Sequence, residues 1–74
     1  MQKFDESKFV PVESSNIHSV YFDNGLFVKF HGGAVYHYKD VPQELFLDMM
    51  EATSKGKFFN AHIKSSFAFE KAGV

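Results

Sequence analysis

Tyr21-Phe22-Asp23-Asn24-Gly25-Leu26-Phe27-Val28-Lys29-Phe30-His31-Gly32-Gly33-Ala34-Val35-Tyr36-His37-Tyr38 carries two turn signals among β-prone residues, and its reading decides the fold. Asn-Gly between two such runs is the strongest short hairpin signal, because a type I′ turn needs positive φ at both central positions. With Asn24-Gly25 as the loop, Asp23 faces Leu26, Phe22 faces Phe27 and Tyr21 faces Val28. His31-Gly32-Gly33 makes the next turn. A three-residue loop with glycine in the left-handed position pairs Phe30 with Ala34 and Val28 with Tyr36. The result is a meander of three antiparallel strands, the first beginning near Ile17.

Side chains alternate along a strand with period two. One face then holds Ile17, Ser19, Tyr21, Leu26, Val28, Phe30, Ala34, Tyr36 and Tyr38, and this face reads as the core. The other holds His18, Val20, Phe22, Phe27, Lys29, His31, Val35 and His37.

Downstream, Asp40-Val41-Pro42-Gln43 opens a helix, with Asp40 as cap, Pro42 in the first turn and Gln43 at the capping-box position. Leu45, Phe46, Met49, Met50 and Thr53 recur at helical spacing, with Glu44, Asp48 and Glu51 opposite. Ser54-Lys55-Gly56 breaks this helix, and Gly56 suits a left-handed C-terminal position. Phe58, Phe59, His62 and Ile63 predict a second short helix over residues 57–63. The expected class is α+β: a three-stranded antiparallel meander followed by two short helices packed on one face, ordered βββαα. Upstream, residues 1–13 form an arm with Phe4, Phe9 and Pro11, able to pack through its two phenylalanines. Residues 14–64 are the domain proper, and residues 65–74 read as either an added edge strand or a frayed tail.

Composition bounds the function. The 74 residues make one domain with a thin core, since a chain this short buries only about 60% of its unfolded surface. Ten Phe and three Tyr supply large core side chains. No cysteine is present, which excludes disulfides, thiolate nucleophiles and Cys-based zinc sites. No continuous apolar run follows the N-terminus and nothing approaches a membrane span, so the expected location is the cytoplasm and no membrane partner is expected. The net charge is −1 and every basic charge is Lys, without an overall basic footprint. The distribution is uneven: residues 1–54 carry a net −4 and residues 55–74 a net +3.

Ser15-Asn16-Ile17, Gly33-Ala34-Val35-Tyr36-His37-Tyr38, Val41-Pro42, and Ser54-Lys55-Gly56-Lys57-Phe58-Phe59-Asn60 with Ile63 resemble the KTSC domain. The likeness runs in order from about Ser14 to Lys64. That domain is named for its place at the C-terminus of some lysyl-tRNA synthetases, and it also stands alone in small bacterial and phage proteins. Tyr36 and Tyr38 are similar to its central Tyr-x-Tyr motif. The resemblance implies the fold, and from the synthetase context it implies RNA as a partner. Family members often carry Arg near Lys57 or Ile63, where this chain has only Lys, which weakens forked contacts to phosphates or bases.

Tyr36 and Tyr38 could stack on bases, but their alternation with Leu26, Val28 and Phe30 reads as core. On the second face Val20, Phe22, Phe27 and Val35 form an apolar centre flanked by His18, His31, His37 and Lys29. This is a candidate surface for self-association, for cover by the arm, or for ligand stacking. The histidines read as solvated, since no helical His pair or acidic partner accompanies them, and no metal or other cofactor is expected. The best site candidate is Lys55, Gly56, Lys57, Asn60, His62 and Lys64, where a turn opening a helix would present N–H groups and lysines to an anion. The competing reading is a solvated helix start with Phe59 and Ile63 in the core. No nucleophile has a base at a recognisable spacing, so no catalytic residue is assigned. The leading function is a non-enzymatic binding module for RNA or another nucleic acid. The alternatives are a protein-interaction module, acting by homo-oligomerisation or as an inhibitor of a partner protein, and a binder of a small anionic nucleotide.

Overall fold

The computed structural model describes residues 4–73. Its strands are β1 (Val10–Pro11), β2 (Ile17–Phe22), β3 (Leu26–Phe30), β4 (Val35–Tyr38) and β5 (Phe69–Lys71), and its helices are α1 (Gln43–Glu51) and α2 (Lys55–His62). The strands form one antiparallel sheet in the order β1-β2-β3-β4-β5. The fold is α+β as the pattern predicts, with five strands in place of three. The extra strands are the two edges: β1, at two residues, is too short to display a period of two, and β5 is the edge-strand alternative for residues 65–74.

The β3–β4 hairpin has the expected register. Val28 lies opposite Tyr36, the Phe30 N–H donates to the Ala34 carbonyl, and Gly33 takes φ +96°. The β2–β3 hairpin differs by one residue. Asn24 and Gly25 both have positive φ, as the Asn-Gly signal requires, but Asp23 joins them in the loop, so Phe22 faces Leu26 and Tyr21 faces Phe27. A one-residue slip moves every side chain of a strand to the other face. Val20 and Phe22 therefore face the core, while Ser19 and Tyr21 go to the second face. Ile17 remains on the core side because the register shifts between Ile17 and Ser19, leaving His18 as the extra residue of a bulge.

Two apolar layers result. On the helix side Ile17, Val20, Leu26, Val28, Tyr38, Val41, Met49, Phe59 and Ile63 are buried together, with Phe22 stacked on Phe46 of α1 at 5.2 Å. On the opposite side Phe27, Val35 and Ala72 are buried, and the arm covers them through Phe4 and Phe9. The arm is shaped by a short 3₁₀ turn at Glu6–Lys8, capped by Asp5. Hydrogen bonds from the Ser7 hydroxyl, at 2.6 Å, and from the Ser7 backbone N–H hold the Asp5 carboxyl below its usual range. Lys29 pins the turn to β3 through Glu6 at 2.8 Å.

Two helix-end expectations need correction. Asp40 is not the cap of α1. It sits in the left-handed region at φ +62°, and Pro42 occupies the cap position without a side-chain bond. Gly56 does not end α1. It lies inside the first turn of α2, which Ser54 caps by accepting the Lys57 N–H at 3.3 Å. The glycine is required there by close approach: a Cβ at Gly56 would lie 2.5 Å from the Ser14 hydroxyl oxygen. That oxygen in turn accepts the N–H groups of Asn16 and Ile17, each at 3.2 Å.

Candidate nucleic-acid interface

α2 follows from its cap and its spacing. Gly56, Phe59 and Ile63 are buried on one side, leaving the rest of the helix to solvent and to α1. Successive residues turn by about 100°, so Lys57, Asn60 and Lys64 fall on one flank, and Lys55, Phe58 and His62 on the other. Lys57, Asn60, His62 and Lys64 are exposed. Lys55 is half-buried, its Nζ donating to the Ala52 carbonyl at 3.3 Å, where it closes the end of α1. His62 lies against Phe58 at 4.5 Å. The six residues of the sequence-based site are thus divided. Lys57, Asn60 and Lys64 share an open flank, Lys55 and Gly56 serve the fold, and His62 stands apart with Phe58. Among the described residues Lys57, Lys64 and Lys71 enter no ion pair, whereas Lys29 is held by Glu6 and Lys39 approaches Glu70 at 3.5 Å.

The second sheet face is not an open aromatic patch. Phe27 is 1% exposed beneath Phe4, Phe9 and Tyr21, and Phe22 is on the helix side. His37 is buried against Phe27 at 4.4 Å. Its Nε2 lies 3.0 Å from the Asn24 carbonyl, which makes that nitrogen the donor, and the buried Nδ1 has no hydrogen-bond partner among the described residues. His18 and His31 are exposed neighbours, 5.7 Å apart, with His31 Nε2 donating to the Ser14 carbonyl. Of the surface proposed for that side, His18 remains open to solvent, Lys29 is tied to the arm, and the two phenylalanines and His37 are structural.

The open aromatic surface is on the helix side, at the margin that the helices leave uncovered. α1 lies over the end of β2 through Phe46, and α2 packs on β3 and β4 through Phe59, which meets Phe30 and Tyr38 at 6.0 and 5.1 Å. β5 lies beyond these contacts. Its Phe69 is 53% exposed, with its ring 5.4 Å from Tyr36 and 5.1 Å from Tyr38. Tyr38 is buried, and that burial raises its phenol above the usual range, with the charge of Tyr36 a smaller cause. Tyr36 is half-buried. The tyrosine motif is therefore core at Tyr38 and margin at Tyr36. Sequence reasoning missed Phe69. The alternation of Phe67-Ala68-Phe69 carried the signal, but whether it formed a strand depended on pairing with a segment about thirty residues away.

A recess lined by Phe22, Asn24, Gly25, Asp40 and Val41 opens at the β2–β3 turn, and Asp40 is its one titratable side chain. No three His, Asp or Glu side chains converge as metal ligands among the described residues. No helix among them is long and apolar enough to cross a membrane.

Comparison with known proteins bears on the whole of this framework. Residues 13–67 match the family model of the KTSC domain. The crystal structure of a KTSC domain protein from Yersinia pestis superposes with a TM-score of 0.80 at 38% identity, covering 88% of this chain and 96% of that one. A protein of Tsukamurella paurometabola is 43% identical over 60 residues, which is 77% of this chain and 90% of the relative. A lysine–tRNA ligase of Nostoc punctiforme is 44% identical over 46 residues, 62% of this chain but 8% of the ligase. The matched residues contain Ser14, the tyrosine motif, both helices and the Gly56 contact, and end just before Phe69, so this chain belongs to the KTSC domain family.

Proposed function

We propose that this chain is a non-catalytic nucleic-acid-binding module whose ligand is RNA. The observation that carries the reading is the open flank of α2. Lys57 and Lys64 stand in solvent without a carboxylate partner among the described residues, with Asn60 between them, in a segment of net +3. Lysines so placed contact phosphates as point charges and release counterions, which makes binding fall with salt. Affinity is modest because no Arg is present to grip a phosphate with two bonds. The likeness to a stretch of a lysine–tRNA ligase, a protein named for a tRNA, supports the choice of RNA. The test is titration of tRNA and of single-stranded RNA at low ionic strength, with Lys57→Ala and Lys64→Ala beside the wild type. Each substitution lowers the salt slope by about 0.7 on single strands and leaves the fold unchanged. Absence of salt-sensitive binding at low ionic strength refutes the reading.

A second reading rests on α1. Leu47 is 52% exposed among Glu44, Asp48 and Glu51, with Met50 beside them. An apolar side chain ringed by carboxylates suits a basic partner protein, and such a contact depends on Leu47 rather than on Lys57 or Lys64.

A further inference from the structure

We infer that the uncovered margin of the sheet at β4 and β5 is a base-stacking platform, so that the ligand recognised is single-stranded nucleic acid with unstacked bases rather than duplex. The inference rests on the nucleic-acid reading above and adds a second site to it. Residues directly opposite in an antiparallel pair project to the same face. Tyr38 faces Phe69 and Tyr36 faces Lys71, so these four side chains share the helix side of the sheet. Phe69 lies against the buried Tyr38 ring with centroids 5.1 Å apart and a tilt of 33°. Its edge-to-face contact with Tyr36, 87° at 5.4 Å, continues to Phe30 at 5.8 Å. The exposed ring is therefore packed against others, and it presents apolar surface to solvent in a chain whose core is thin. Lys71 is exposed and unpaired among the described residues on the same face, one side chain from Tyr36.

A π-surface with a cation beside it fits the chemistry of a nucleotide in a strand: a flat base to cover the ring and a phosphate for the lysine. A base paired within a duplex does not present its face. The alternative occupant is a second copy of this chain, pairing along the free edge of β5. That strand is three residues long and carries Glu70 and Lys71, and short charged edges are the device by which sheets avoid edge-to-edge association. Single-stranded nucleic acid is therefore the occupant assigned.

The experiment titrates the intact chain with an unstructured uridine oligonucleotide and with an RNA duplex of equal phosphate number. The variants are Phe69→Leu, which keeps an apolar side chain on Tyr38 but removes the π-face, and Phe69→Tyr, which keeps the ring. Lys57→Ala with Lys64→Ala serves as the electrostatic control, and circular dichroism checks that each variant is folded. The expected result is tighter binding of the single strand than of the duplex. Phe69→Leu weakens the single strand about tenfold without changing its salt slope, and Phe69→Tyr restores it. Duplex binding does not respond to Phe69→Leu. If single strand and duplex bind alike, and Phe69→Leu leaves both unchanged while the lysine variant lowers the salt slope, the platform is refuted and the nucleic-acid reading stands. If neither RNA binds in a salt-sensitive way, both fall. A wild type that sediments as a dimer and a Phe69→Leu variant that sediments as a monomer would show that a second copy covers the ring, which also overturns the inference.

Discussion

Replacing Gly56 by alanine sets two known effects against each other, and the structure decides between them. In a helix, alanine is favoured over glycine by about 0.8–1 kcal/mol. At Gly56 the new Cβ would lie 2.5 Å from the Ser14 hydroxyl oxygen, closer than real Cβ contacts allow. The serine side chain must rotate away and release the N–H groups of Asn16 and Ile17, each bonded at 3.2 Å. Asn16 is exposed, so water replaces the lost bond. Ile17 is fully buried, and an orphaned buried N–H costs about 1–3 kcal/mol. The loss exceeds the gain, and Gly56→Ala destabilises the domain by about 1–2 kcal/mol. In a domain of this size that lowers the melting temperature by on the order of 4–8 °C per kcal/mol. The background matters to the proof. In Ser14→Ala the clashing oxygen is gone and the nearest remaining atom, the Cβ of that residue, lies at the contact distance of 3.4 Å. There Gly56→Ala becomes neutral or stabilising. Urea unfolding of the four proteins in the cycle, with equal m-values, should give a coupling of about 1–3 kcal/mol. If Gly56→Ala stabilises the wild type as much as it stabilises the Ser14→Ala variant, the steric account of this glycine is wrong.

Two further perturbations probe the core on the helix side. Phe59→Ala, at a side chain 1% exposed and packed on Phe30 and Tyr38, should cost about 3–5 kcal/mol in urea unfolding; a folded variant that loses only RNA binding would make Phe59 a site residue instead. Burial raises the Tyr38 phenol above its ordinary value of 10.0, so the native state holds a proton that the unfolded chain releases, and this contribution is complete below pH 10 and is lost as pH rises through the raised value. Melting temperatures followed into the alkaline range should therefore fall more steeply for the wild type than for Tyr38→Phe, and parallel curves would count against the assignment.

What could be read in the sequence were features carried by neighbouring residues. The Gly33 turn fixed the β3–β4 register, since glycine alone adopts its φ of +96° without strain. The stripe of Leu45, Phe46, Met49 and Met50 gave α1, and Phe59 with Ile63 gave the buried side of α2. What escaped, or stayed open between alternatives (the tail as edge strand or frayed end, the second face as covered by the arm or free), were features set by distant partners. The Gly56 role depends on Ser14, and β5 depends on pairing with β4. The two-residue β1 depends on β2, and the contacts of Phe4 and Phe9 depend on Phe27 and Tyr21 across the sheet. In the candidate site the same distinction separates Lys57 and Lys64, which are exposed, from Lys55, which the end of α1 engages.

The single-residue slip at Asp23 has the largest functional consequence. With Asn24-Gly25 alone as the loop, Phe22 and Phe27 share a face that Val20 completes, and that face looks like the natural place for a ligand or a second copy. With Asp23 in the loop, Phe22 crosses to α1 and Tyr21 takes its place beside Phe27. The second face then holds Tyr21, Phe27, Val35 and Ala72, a patch small enough for the two phenylalanines of the arm to cover. The helix side, by contrast, gains Val20 and Phe22 and fills under α1 and α2, while Phe69 stays half open to solvent at its margin. The register of one hairpin thereby closes one face and leaves the exposed aromatic ring at the opposite margin, beside Tyr36 and Lys71. The lysines proposed to meet phosphates, on α2 and just past its end, and the ring of β5 are carried by consecutive elements joined through residues 63–68. On that proposal, a strand that follows the chain's own path meets charge first and a stacking surface next.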